Sequence, residues 1–143
     1  MSDCPYCDPP EPATGGWVHS DEHWLVAHGP AETTMAGALR VTSRRHYTDF
    51  AEMTRAEAES FGRLLTRLDA ALRAVTDAER VHAVSTRDRV QHFHAWLYPR
   101  PASHPLRGTD FLNAPQRTTS AEAERTAAEV RAQLTTQHMV AGE

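Results

Sequence analysis

Residues 89–100 read RVQHFHAWLYPR and carry the most informative pattern in this chain. His92 and His94 are separated by one residue, the spacing of a β-strand, so both imidazoles are predicted to point to the same face of a sheet. Pro99 and Arg100 are expected to close this strand. Two imidazoles fixed side by side can serve as metal ligands, as a nucleophile with its orienting partner, or as a general acid–base pair. A half-exposed strand without a site would show the same spacing, so the rest of the chain has to decide.

Length and composition indicate one ordinary globular domain over residues 1–143. Hydrophobic residues make up 40% of the chain and charged residues 24%, which is typical of a folded protein. The net charge of −4 gives no reason to expect nucleic acid or anionic membranes as partners. No apolar run is long enough to span a bilayer, and the N-terminus lacks the pattern of a signal peptide. We therefore expect a soluble cytoplasmic protein.

The order of local patterns predicts an α+β fold with an antiparallel sheet of about five strands. Residues 1–16 are rich in Pro and Gly and predict irregular backbone. Two short apolar runs within residues 17–28 predict a hairpin. Ala38–Thr42 predicts a third strand, which is followed by a basic pair and His46.

A long amphipathic helix is predicted after these strands. Thr54 and Glu57 form a capping box, in which a hydroxyl and a carboxylate bind free amides at the start of a helix. The helix carries one apolar stripe at steps of three and four residues, made of Phe61, Leu64, Leu65, Leu68, Leu72 and Val75.

The remaining chain predicts two more strands and a second helix. Val81–Ser85 is a fourth strand, and Val90–Tyr98 is the histidine strand. Residues 101–143 are predicted to form a C-terminal loop, over 101–118, and a helix over Ser120–Gln137. Thr119 and Glu122 supply a second capping box for that helix.

Cys4 and Cys7 are the only cysteines, and they form a C-x-x-C pair. Two thiolates on a short turn can bind one cation, and a structural zinc site needs two further ligands, usually Cys or His. Since no other cysteine exists, these would come from the nine histidines. A redox role requires the motif to open a helix, which the Pro-rich context does not offer. Inert surface thiols are the remaining alternative.

His92 and His94 also suit phosphoryl or nucleotidyl transfer through an imidazole. Such transfer needs one nucleophilic histidine whose other nitrogen is held by a hydrogen bond. It also needs donors for the charge on the phosphoryl oxygens. Arg89 and Arg100 bracket the strand and are the candidates. A solvated surface charge is the alternative for each, and the preferred interpretation of Arg100.

Residues 92–100 resemble the signature strand of the histidine triad superfamily, His-φ-His-φ-His-φ-φ, which is commonly followed by Pro-Arg. The surrounding order is similar as well: a C-x-x-C, a hairpin, a strand before a basic pair and His46, an amphipathic helix and a further strand. The resemblance covers roughly residues 4–100. It implies the fold of that family, a homodimer with sheets joined across a two-fold axis, and a nucleotide or other phosphorylated substrate.

Carried over residue by residue, the resemblance implies that His94 is the nucleophile and attacks the α-phosphorus of a nucleotide. Zinc-containing members bind the metal through two cysteines, the histidine after the third strand and the first triad histidine. In this chain these residues are Cys4, Cys7, His46 and His92. Zinc would then anchor residues 1–16 to the sheet.

Trp96 occupies the third triad position, where hydrolases of the family carry His and the uridylyltransferase branch carries Gln. That residue normally contacts the phosphate and assists the leaving group, whereas an indole has one N–H donor and cannot usefully exchange a proton. Further departures are Ala38 for the His that often follows the glycine, Ser43 for the usual Pro, and Arg89 for a small polar residue. They leave the nucleophile and metal ligands intact and concern the substrate.

Three functions follow from these residues. The first, which we prefer, is a zinc-stabilised hydrolase or nucleotidyltransferase acting on a nucleoside phosphoanhydride, phosphoester or phosphoramidate, with Arg89 and backbone amides steadying the phosphate. The second is a non-catalytic protein that binds a nucleotide or phosphorylated metabolite. The third is a member repurposed for metabolite chemistry unrelated to nucleotides. His28 lies where the family often places a ribose-binding side chain, with a surface histidine as the alternative.

Overall fold

The computed structural model describes residues 3–141, and its regular elements follow the predicted order. In chain order they are β1 (Trp17–Ser20), β2 (Trp24–His28), β3 (Leu39–Ser43), α1 (Arg55–Val75), β4 (Ala78–Val84), β5 (His94–Pro101), α2 (Gly108–Asn113) and α3 (Ser120–Ala141). A short 3₁₀ turn, Phe50–Glu52, precedes α1. The strands form an antiparallel five-stranded sheet in the order β1-β2-β3-β5-β4. The predicted α+β architecture is confirmed.

The long helix α1 begins at the predicted capping box. The Thr54 hydroxyl accepts the Glu57 N–H at 3.1 Å, and the Glu57 carboxylate accepts the Thr54 N–H at 2.8 Å. Leu64, Leu68 and Leu72 are buried and belong to the core, as their spacing predicts. The apolar stripe therefore packs this helix against the sheet.

One face of the sheet is covered by α1 and α3. Leu39 and Val41 of β3 and Leu97 of β5 point to this side and are part of the core, together with Ala127 and Val130 of α3. Side chains alternate along a strand, so the residues between them point to the other side.

The opposite face carries four polar or aromatic side chains in register. Thr42 of β3 pairs with His94 of β5, and Arg40 pairs with Trp96. These four side chains occupy a compact area at the centre of the sheet, since β3 and β5 are its inner strands.

The histidine strand differs from its predicted bounds. β5 begins at His94 rather than at residue 90, and it continues through Pro99 and Arg100 to Pro101. The expectation that Pro99 and Arg100 close the strand is therefore wrong. β3 pairs with β5 only as far as Leu97, so Pro99 lies where the strand has no neighbour on that side and its missing N–H costs no ladder bond.

Gly37 makes this arrangement possible. A Cβ at Gly37 would lie 2.8 Å from the Pro99 ring, and its backbone has a φ of 93°, a region that favours glycine.

The predicted loop over residues 101–118 contains the six-residue helix α2. Phe111 of this helix is buried against the rings of His82 and His104, with centroids 5.6 and 4.9 Å away. A helix this short has no periodicity to detect, and the packing of its own Phe111 on His82, which is distant in the chain, stabilises it. Among the described residues, no helix is both long and apolar enough to cross a membrane.

Candidate metal centre and nucleophile

Four side chains from three separate parts of the chain meet beside the start of β5. Cys4 and Cys7 lie on a turn closed by the Cys7 N–H donating to the Cys4 carbonyl at 3.4 Å. His46 follows β3, and His92 precedes β5. One ligand atom of each lies within 4.8 Å of the others. This cluster is hereafter called the Cys₂His₂ cluster.

The separations within the Cys₂His₂ cluster fit a tetrahedral zinc ion. Cys4 Sγ lies 3.2 Å from His92 Nδ1, Cys7 Sγ lies 3.2 Å from His46 Nδ1, and the two Nδ1 atoms are 3.1 Å apart. Zinc–nitrogen bonds of about 2.0 Å and zinc–sulfur bonds of about 2.3 Å place tetrahedral ligands about 3.3–3.8 Å apart, and the nitrogen pairs closest. The donor set, two thiols and two imidazoles, is also one that zinc prefers.

A backbone carbonyl fixes the His92 ring for this role. His92 Nε2–H donates to the Ser43 carbonyl at 2.7 Å, which leaves the Nδ1 lone pair pointing into the cluster. Burial lowers the pKa of His92, so the ring is neutral near pH 7 and able to bind a cation. The Ser43 hydroxyl in turn donates to the Arg45 and Phe93 carbonyls, at 2.9 and 3.3 Å. Such outer hydrogen bonds orient a metal-binding histidine.

His94 is held in the tautomer that a nucleophile needs. Its Nδ1–H donates to the His92 carbonyl at 2.7 Å, so the Nε2 atom carries the free lone pair. The Ser85 hydroxyl donates to the His94 carbonyl at 2.6 Å and fixes the backbone. Burial lowers the pKa of His94, and the hydrogen bond to His92 offsets this only in part. The ring is therefore neutral near pH 7.

Tyr6, between the two cysteines, covers His94. The two rings meet edge to face with centroids 5.0 Å apart, and His94 is only 8% exposed. Tyr6 also lines a cleft of about 520 Å³ between the N-terminal segment, the sheet and the start of α3. The turn that carries Cys4 and Cys7 thus places an aromatic ring between this cleft and His94.

Solved structures match the chain, although no protein-family model and no curated protein does. A zinc-bound histidine triad family protein from Mycobacterium smegmatis has a TM-score of 0.74 at 17% identity, covering 96% of this chain and 97% of that one. A hypothetical histidine triad nucleotide-binding protein from Sulfolobus tokodaii has 0.66 at 12%, covering 84% and 83%. A diadenosine triphosphate hydrolase from Plasmodium falciparum, complexed with cyclomarin A, has 0.63 at 9%, covering 84% and 76%. The chain has the histidine triad fold.

Trp96 fills the third triad position of the histidine triad fold with an aromatic wall. Its indole is parallel to the Tyr98 ring, with centroids 5.9 Å apart and planes 7° apart. It also packs against Gly29, where an added Cβ would lie 2.8 Å from the indole. The ring lies on the same face as His94 but has no group that can transfer a proton at neutral pH.

Two of the predicted substrate-binding residues are buried and bonded to other protein groups, although His28 also lines the cleft that Tyr6 lines. His28 is 4% exposed, and both ring nitrogens have backbone partners, the Gly29 carbonyl at 2.8 Å and the Gly37 N–H at 2.8 Å. It is therefore not a surface histidine. Arg100 is 4% exposed and pairs with Glu79 at 2.9 Å, so the expectation of a solvated charge is wrong.

Neither Arg100 nor Arg89 is placed beside His94. Six residues separate Arg100 from His94 along β5, about 20 Å at the rise of a strand. Arg89 is exposed and lines a cleft beside the Cys₂His₂ cluster, together with Cys4 and His46. A role for Arg89 in binding substrate stays a prediction.

Sequence reasoning missed the two residues that do surround His94, Tyr6 and Arg40. The Arg40 guanidinium lies 4.6 Å from the Tyr6 ring centroid and 5.9 Å from that of Trp96. The alternation of Arg40 with Leu39 and Val41 could have placed it on the polar face. Its pairing with β5 joins residues far apart in the chain and was not available from local pattern.

Proposed function

We propose that this protein is a zinc-stabilised hydrolase or nucleotidyltransferase that acts through His94 on a nucleoside phosphoanhydride, phosphoester or phosphoramidate. The observation that carries the proposal is the neutral, tautomer-fixed ring of His94, whose Nδ1–H is bound by the His92 carbonyl. The zinc-bound and nucleotide-binding histidine triad proteins of similar fold support it.

The reaction would proceed in two displacements at phosphorus. His94 Nε2 attacks the α-phosphorus, a phosphorus–nitrogen bond forms, and the bond from phosphorus to the leaving group breaks with its electron pair. Water or another acceptor then attacks the same phosphorus and loses a proton, and the bond to His94 breaks. The products are a nucleoside monophosphate, or its ester with the acceptor, and a neutral His94.

Cys4, Cys7, His46 and His92 would hold zinc, whose chemistry here is to fix the geometry of the ligands rather than to activate substrate. Four protein ligands complete the coordination that zinc takes in structural sites. The role of this chain is then to align the His92 carbonyl with His94, and to fix the turn that carries Tyr6.

A panel of nucleotides would test the proposal. The zinc-loaded protein is incubated with a dinucleoside polyphosphate, a nucleotide aryl ester and a nucleoside phosphoramidate, and release of nucleoside monophosphate is measured. We expect turnover of at least one, and a loss of about 10³-fold or more in His94→Ala. His23→Ala, which changes a partly exposed histidine on the hairpin, should retain activity. Activity that survives His94→Ala would contradict the proposal.

A non-catalytic nucleotide-binding protein is the second candidate, and the covered position of His94 favours it. The ring is 8% exposed beneath Tyr6, so a ligand can reach Nε2 only if Tyr6 moves aside. Tight binding of nucleotides without turnover, in the wild type and in Tyr6→Ala alike, would support this function over the first.

We also propose the homodimer and the cytoplasmic location that the sequence analysis predicts. β4 is an edge strand of seven residues, which offers backbone N–H and C=O groups to a second copy. The zinc ligation proposed for Cys4 and Cys7 needs their thiolates, which a reducing compartment preserves.

A further inference from the structure

Arg40 lies diagonally across the sheet from His94. Arg40 pairs with Trp96, and Thr42 pairs with His94, so Arg40 and His94 are two residues out of register on the same face. Diagonal neighbours on adjacent strands have Cα atoms about 7–8 Å apart, within reach of a long side chain.

The guanidinium of Arg40 and the imidazole of His94 contact the same aromatic ring. Tyr6 lies 4.6 Å from the Arg40 guanidinium carbon and 5.0 Å from the His94 ring centroid. Arginine stacks through its flat face and keeps its N–H groups at the edge. Tyr6 thus holds the cation beside the nucleophile without occupying its donors.

Within the part of the chain that the structure describes, most of these donors have no protein acceptor. Nε–H donates to the Thr42 hydroxyl at 3.2 Å, and within residues 3–141 no carboxylate lies within ion-pair distance of Arg40. Two other arginines of this region have carboxylate partners: Arg45 pairs with Glu57 at 2.7 Å, and Arg87 with Asp49 at 3.6 Å. Arg40 is therefore the cation beside His94 whose charge is left for a ligand.

Arg40 also lines the cleft that ends at Tyr6. Among the described residues that line this cleft, Arg40 is the one arginine. The rim of the cleft carries the exposed carboxylates of Glu11, Glu32 and Glu124. Because the rim is acidic, attraction of an anion into the cleft depends on this single guanidinium.

We propose that Arg40 binds the phosphoryl group of the substrate and determines the specificity of the His94 site for an anion. The guanidinium edge would take two phosphoryl oxygens, a geometry that arginine forms with phosphate. This is the phosphate-binding role for which the sequence offered Arg89 and Arg100 as candidates. The assignment rests on the proposed function, in that the anion is taken to be the group that His94 attacks.

Equilibrium binding separates this role from the chemistry. Inorganic phosphate, AMP and adenosine are titrated into zinc-loaded protein by calorimetry, for wild type, Arg40→Gln, Arg40→Lys and the control Arg63→Gln, an exposed arginine on α1. We expect Arg40→Gln to weaken phosphate and AMP about tenfold or more and to leave adenosine unchanged. Arg40→Lys should retain part of the affinity, since it keeps the charge and loses the fork. Zinc content and circular dichroism establish that each variant is folded.

Equal affinity of Arg40→Gln and wild type for phosphate and AMP would overturn the assignment, and so would a wild type that binds neither at millimolar concentration. If Arg40→Gln lost as much affinity for adenosine as for AMP, the cleft would have collapsed, and this result would also count against the assignment. The exception is a result in which Arg40→Lys restores the binding of AMP alone. His94→Ala is expected to bind phosphate while losing turnover. Arg40-dependent binding in a protein without turnover would contradict the enzymatic proposal and still support the anion site.

Discussion

The indole at position 96 differs from the imidazole of the ordinary triad in its inability to pass a proton to a leaving group. The ring stacks on Tyr98 and lies on the same face of the sheet as His94. Its strand partner on β3 is Arg40. The phosphate that leaves from a phosphoanhydride is a stable anion. The amine that leaves from a phosphoramidate must instead be protonated before it leaves. The residue at position 96 therefore bears on which of the proposed substrates the site can use.

We expect Trp96→His to raise the rate with a nucleoside phosphoramidate much more than the rate with a phosphoanhydride. General acid catalysis contributes about 10²–10⁴-fold, so a gain of about 10²-fold for the phosphoramidate is the expected scale. Single-turnover rates on the two substrates measure it, and Trp96→Phe controls for the change in ring size. Equal gains on both substrates would show that the indole acts only through its volume.

At the level of the elements, one buried carboxylate joins α1 to the segment after β3 that carries His46. Glu57 is 3% exposed, closes the capping box of α1 and pairs with Arg45, which precedes His46. The Arg45 guanidinium lowers the pKa of Glu57, and burial opposes this shift. A lowered pKa in the folded state means that ionised Glu57 stabilises the fold above its unfolded pKa of about 4.3. That stability is lost as the pH falls through the lower, folded pKa.

We therefore expect Glu57→Gln to reduce the free energy of unfolding at pH 7 by about 1–3 kcal/mol, the range for a hydrogen bond to a charged group. The difference from wild type should shrink below about pH 4.3 as Glu57 in the wild type is protonated. Urea unfolding at several pH values measures this. Glu59→Gln, in the exposed pair with Arg55, should change stability by less than about 1 kcal/mol. A Glu57→Gln effect that does not vary with pH would contradict the assignment.

Local pattern predicted the elements well where a long stripe or a cap defines them, as in α1 with Thr54 and its leucines. The C-x-x-C pair indicated Cys4 and Cys7 as metal ligands, but only the resemblance to a family showed that His46 and His92 complete the Cys₂His₂ cluster. Local pattern placed Arg100 in solvent because an arginine is usually a solvated surface charge, whereas Arg100 is buried and pairs with Glu79 of β4. Arg40 and Tyr6 were missed because strand pairing and the path of the N-terminal segment are set by contacts between distant residues.

For the whole molecule, the Cys₂His₂ cluster connects the N-terminal segment to the sheet. Cys4 and Cys7 lie on that segment with Tyr6 between them, whereas His46 follows β3 and His92 precedes β5. The core between the sheet, α1 and α3 does not include these cysteines. Metal binding should therefore order the segment more than it stabilises the core.

Chelation of zinc is expected to accelerate amide hydrogen exchange in residues 3–16 while α1 remains protected. Local opening of this kind is detected by exchange before global unfolding. Hydrogen exchange with mass spectrometry, with and without chelator, gives the measurement. Cys4→Ser should show the fast exchange from the outset and no response to chelator. Loss of protection throughout the sheet and α1 would instead show that the whole fold depends on the metal.

The claim on which the account depends is that His94 forms a covalent bond to phosphorus. Rapid quenching of the zinc-loaded protein during its first turnover, followed by intact-mass and peptide analysis, tests this directly. We expect an added nucleoside monophosphate on the peptide that contains His94, and none in His94→Ala. Turnover without an adduct at any quench time, or an adduct on another residue that persists in His94→Ala, would contradict the account.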